Sequence, residues 1–120
     1  MLRIVLRIQA AFYVMTGLWP LINLESFERI TGPKTDDWLV YTVGLLLAAI
    51  GVTLWMGTRG ERPNGAVVFL GAATASSLAT IDLTYALSGR ISSVYLLDAV
   101  GEIVLLVLII VSALRLRSGR

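Results

Sequence analysis

The 120 residues are 57% hydrophobic and 15% charged, with a mean hydropathy of +0.82, a balance that lies outside that of a soluble domain. The chain has no Cys and no His, which removes disulfides, thiolate redox chemistry, bis-histidine haem ligation and most zinc or copper sites. Its net charge of +2 comes from basic residues at the ends of apolar segments, so the lipid bilayer is the expected partner and nucleic acid is not.

The first apolar run covers residues 4–24. Arg7 and Gln9 interrupt it and no A-x-A cleavage pattern follows, so it reads as a retained span and not as a signal peptide. Arg3 and Arg7 are four apart and share a face from which both can reach the headgroups. Trp19 and Pro20 mark the far end, where an amphipathic aromatic and a helix-disturbing proline are tolerated. Residues 23–37 carry Glu25, Glu28, Arg29, Lys34, Asp36 and Asp37 among Phe27 and Ile30, with a Gly32-Pro33 turn, and predict a short interfacial helix.

Asp36 or Asp37 is placed to cap the second span, residues 38–57, with Trp38 and Tyr41 at the interface. Gly44, Gly51, Thr42 and Thr53 within it suit packing and helix bonding better than ligand binding. A loop with Arg59, Glu61, Arg62 and Pro63 leads to the third span, residues 65–87. The small residues of that span from Gly71 to Ala79 predict close approach to a neighbouring helix. Ser88-Gly89-Arg90 reads as a tight connection to the fourth span, residues 91–114, and Arg115, Arg117 and Arg120 follow.

Seven basic residues (Arg3, Arg7, Arg59, Arg62, Arg115, Arg117, Arg120) then fall on one side and three (Arg29, Lys34, Arg90) on the other. The positive-inside rule puts both termini in the cytoplasm. The expected fold is all-α: one four-helix transmembrane bundle over residues 1–120, in a bacterial inner membrane. A homo-oligomer is expected, because four short helices enclose little interior.

Three carboxylates interrupt the apolar spans: Asp82 in the third, and Asp98 and Glu102 in the fourth. Each costs roughly 2.5–3.5 kcal/mol at the centre of a spanning helix, so such groups default to a functional reading. In an antiparallel hairpin centred near Arg90, Asp82 and Asp98 fall at one depth, as do Tyr85 and Tyr95. The two acids lie about 12 Å from the turn at 1.5 Å per residue. Glu102 is one turn deeper on the face of Asp98. Three carboxylates so placed cannot all ionise cheaply, and a proton-binding site near neutral pH follows.

In length and span number the chain resembles the small multidrug resistance transporters, a likeness that implies exchange of protons for cationic drugs at a membrane acid. That family carries its acid in the first span, whereas the first span here offers Arg7, Gln9, Thr16 and aromatic heads. In layout alone it also resembles the sterol-isomerase group, whose enzymes imply a His that this chain lacks. The compact fluoride channels share the span number, but none of their polar signature runs is present.

The leading expectation is a site of Asp82, Asp98, Glu102, Tyr85 and Tyr95 that binds a proton or an amphiphilic cation, as in a proton-coupled transporter, without cofactor or metal. The alternatives are a membrane enzyme or binding protein for a lipid-like small molecule, using paired carboxylates, and an accessory subunit whose acids lock the helices.

Overall fold

A computed structural model describes residues 1–118, and Arg120 of the basic tally lies outside them. Five helices, and no strand among the described residues, follow one another: α1 (Leu2–Ile22), α2 (Leu24–Thr31), α3 (Asp37–Met56), α4 (Gly65–Leu87) and α5 (Val94–Ser118). Four of them, all but α2, are long and apolar enough to cross a membrane, which makes this a multi-pass integral membrane protein of all-α class. The α1, α3 and α4 ranges reproduce the spans read from sequence to within about two residues, whereas α5 starts later than the expected 91, at Val94, and runs past the expected 114 to Ser118.

Local chemistry sets the ends. Asn23 closes α1 with its backbone N–H on the Trp19 carbonyl (2.9 Å) and opens α2 with its side-chain oxygen accepting from the Ser26 N–H (3.0 Å). One residue thus serves two helices. Asp36 occupies the N-cap position of α3 but its side chain makes no cap bond; its carbonyl accepts from the Leu39 and Val40 N–H groups instead. The connection between α4 and α5 is longer than the tight turn expected. Residues 88–93 lie outside helix, Gly89 takes a positive φ of 80°, and the Ser92 hydroxyl accepts from the Val94 N–H (3.2 Å) to start α5.

The spanning helices alternate in direction and form two hairpins, α1 with α3 and α4 with α5. The N-terminus lies beside the α3–α4 loop, where the Arg3 guanidinium donates to the carbonyls of Gly60 and Glu61, and Arg7 Nε donates to the Thr58 hydroxyl (2.9 Å). The α2 segment and the α4–α5 loop occupy the opposite end, where Lys34 lies over the Tyr95 ring.

Within the first hairpin the backbones nearly touch. A Cβ on Gly17 would collide with the Gly44 carbonyl oxygen, a Cβ on Gly44 with that of Gly17, and a Cβ on Gly51 would sit 2.7 Å from the Ala10 oxygen. Small residues are what allow helices to pack in lipid, where burial of apolar surface offers no drive. The two hairpins meet far less extensively than the helices within each do. Between α3 and α4 an open apolar groove of about 330 Å³ runs past Leu47, Ile50, Thr74 and Leu78. Leucines and valines such as Leu45, Val52, Leu97 and Val104 face outward, as a lipid-solvated surface requires.

Candidate functional site

Along α1 the buried positions are Leu2, Val5, Leu6, Gln9, Ala10, Tyr13, Gly17 and Pro20, one helical face on which i,i+3 and i,i+4 neighbours recur, with two neutral polar groups in its middle. Along α4 the inward stripe ends in Ala75, Ala79 and Asp82. On α5 the inward side carries Ala99, Glu102, Leu105, Ile109 and Ser112. The stripes face one another at the seam between the hairpins, where Gln9, Tyr13 and Glu102 form a hydrogen-bonded group.

Glu102 and Gln9 are fully buried (0% exposed), and Tyr13 is buried to 1%. The Tyr13 hydroxyl is 2.8 and 2.9 Å from the two Glu102 oxygens, to which it donates. Gln9 Nε2 donates to the Tyr13 oxygen (3.0 Å) and to the Gly71 carbonyl (2.9 Å). The order of donation is fixed by the partners: a carbonyl can only accept, so the amide nitrogen faces Gly71, and Tyr13 is left to give its proton to Glu102. Gly71 is needed for this approach, since a Cβ there would lie 2.7 Å from Gln9 Oε1 and 3.0 Å from Leu6 Cδ2.

Towards the α4–α5 loop the Asp82 and Asp98 side chains lie close enough to each other to interact. Asp82 is buried, Asp98 partly so, and Asp82 Oδ2 has no hydrogen-bond partner among the described residues. No Lys or Arg forms an ion pair with Asp82, Asp98 or Glu102 among the described residues. Nor do the three gather, among those residues, into a cluster that could hold a metal ion.

Of the residues read from sequence, the structure therefore brings Asp82 and Asp98 together at one depth and puts Glu102 beyond them. Tyr85 and Tyr95 do not hydrogen-bond to any of the three among the described residues. The Tyr85 ring takes the Arg90 guanidinium (5.9 Å) and the Tyr95 ring takes the Lys34 ammonium (5.3 Å). Equal depth in a hairpin does not fix direction, and cations in the adjoining loops claim both ring faces. The phenol that reaches a carboxylate is Tyr13, from the first span, with Gln9 behind it. Their signal in the sequence was two polar side chains at i,i+4 on the same face as Ala10 and Gly17.

Comparison with protein-family models, with curated proteins and with solved structures returns no match.

Proposed function

We propose that the seam cluster is a proton- and cation-binding site, and that the protein exchanges protons for hydrophobic cations across the membrane. The observation that carries this reading is that Glu102 is fully buried in a spanning helix, near Asp82 and Asp98, and that among the described residues no Lys or Arg forms an ion pair with any of the three. A buried charge without a counter-ion is strongly unfavourable, so these groups hold protons or pair with a cation that the protein itself does not supply. In this scheme Glu102 binds the cation or the proton, Tyr13 and Gln9 orient its carboxyl, and Asp82 and Asp98 share a proton nearer the membrane surface. The distribution of arginines supports cytoplasmic termini, and the setting we take is a bacterial inner membrane. The partial exposure of Asp98 in a spanning helix supports assembly with a second copy that covers it.

The test is thermal stability of the detergent-purified protein from pH 5 to 9, with and without a panel of hydrophobic cations, for wild type and Glu102→Gln. Stabilisation by cations that disappears in Glu102→Gln supports the site. Equal cation binding by both proteins removes Glu102 as the ligand.

One observation favours a second reading, in which the cluster locks the fold. The bonds from Gln9 to Gly71 and from Tyr13 to Glu102 tie the first hairpin to the second beside a shared apolar core that includes Leu6, Leu105 and Ile109. A purely structural lock responds to mutation in stability alone and shows no ligand dependence.

A further inference from the structure

At the end of the bundle that carries α2, the Lys34 ammonium sits in a built cage. Its Nζ donates to the Gly32 carbonyl (2.7 Å), the Thr31 hydroxyl (3.1 Å) and the Thr31 carbonyl (3.2 Å). The Phe27 and Tyr95 rings flank it at 5.6 and 5.3 Å. Three oxygens and two ring faces are what a primary ammonium needs, one acceptor for each N–H and π density for the charge. Thr31 is buried, and Trp19 holds Phe27 in place edge-on at 5.3 Å. The cage opens into a cavity of about 680 Å³, lined by Lys34, Asp36, Val40, Arg90 and Ser92 among others, so there is room for a second molecule beside the ammonium. Tyr95 lies three residues before Asp98 on α5, which places the cage one helical turn above the acidic pair.

We infer that this cage is an entry site for primary amines, occupied at rest by the chain's own Lys34, which an incoming ammonium displaces on its way to Asp98 and Glu102. The route to the acids rests on the function proposed above, whereas the cage itself does not. Lys34 is tethered and therefore competes at high effective concentration, so removing its charge strengthens binding of a free amine. Selectivity follows from the three oxygen acceptors: a trimethylated ammonium has no N–H to offer them.

The experiment is calorimetric titration of the full-length protein in detergent with 2-phenylethylammonium and with its N,N,N-trimethyl analogue. Lys34→Met is expected to bind the primary amine at least tenfold more tightly than wild type does, with a much smaller gain for the trimethyl analogue. Adding Tyr95→Leu to Lys34→Met is expected to abolish the gain. Lys34→Gln, which keeps a polar head without charge, is titrated alongside as a second variant and is expected to show the same selectivity. Unchanged affinity in both Lys34 variants, or equal gains for the two ligands, overturns the inference. A Tyr95-dependent gain that survives Glu102→Gln supports the cage while removing the acidic site as its destination, so the two proposals fail separately.

Discussion

Tyr13→Phe removes a single oxygen, and with it the three hydrogen-bond contacts that connect Gln9 to Glu102. Side-chain bonds inside membrane proteins contribute about 0.6 kcal/mol on average and up to about 1.7. Bonds to a charged group reach about 1.5–3 kcal/mol. The substitution leaves the carboxyl of a fully buried Glu102 and one N–H of a fully buried Gln9 without the hydroxyl that joins them. The expected loss is therefore about 2–3 kcal/mol, measured by equilibrium unfolding in mixed detergent micelles. Stability alone does not prove the contact, so the measurement is completed as a double-mutant cycle with Glu102→Met, which fills similar space and accepts no hydrogen bond. In that background Tyr13→Phe forfeits only the Gln9 bond, and the cycle should show a coupling of about 1–2 kcal/mol. Additive costs, with coupling below about 0.3 kcal/mol, would refute the claim that Tyr13 and Glu102 join the hairpins.

Gly17→Val drives a side chain into the Gly44 carbonyl and should lower stability by at least about 1–3 kcal/mol, read in the same unfolding assay; no change would mean that the first hairpin is not closely packed. Gly71→Ala puts a methyl 2.7 Å from Gln9 Oε1 and should displace the amide, so cation stabilisation of the purified protein falls even though no titratable group has changed. Arg3→Gln releases the Gly60 and Glu61 carbonyls, and trypsin should then cut after Arg59 several-fold faster while global stability changes by less than about 1 kcal/mol. Asp82→Asn puts a hydrogen-bond donor beside Asp98, so the variant should fold and insert as wild type does, which a detergent-resistance assay checks; misfolding would mean that the two side chains do not face each other.

The acids were legible in the sequence because their cost in lipid is large and local: a carboxylate within an apolar run stands out whatever it later touches. The helical rise also served, since counting outward from the α4–α5 turn brought Asp82 opposite Asp98. It served less well for Tyr85 and Tyr95, whose rings follow the cations of nearby loops, because depth follows from residue number and direction does not. Gln9 and Tyr13 carry no charge, and the bond from Tyr13 to Glu102 spans 89 residues of sequence, so no short-range pattern links them. The α2 helix was readable from its amphipathic composition. What stayed hidden was that Asn23 alone would both end one helix and start the next.

The division into two hairpins also bears on how such a chain is made. Synthesis delivers α1 and α3 first, and they bring no acid to the middle of the membrane and close on a glycine-lined seam, so they can settle against each other unaided. All the intramembrane acids arrive afterwards, on α4 and α5, when the Gln9 amide and Tyr13 hydroxyl are already in position to receive Glu102. The early half of the protein thus acts as a template for the insertion of the late half, and the most expensive residues enter last, into a site already prepared for them.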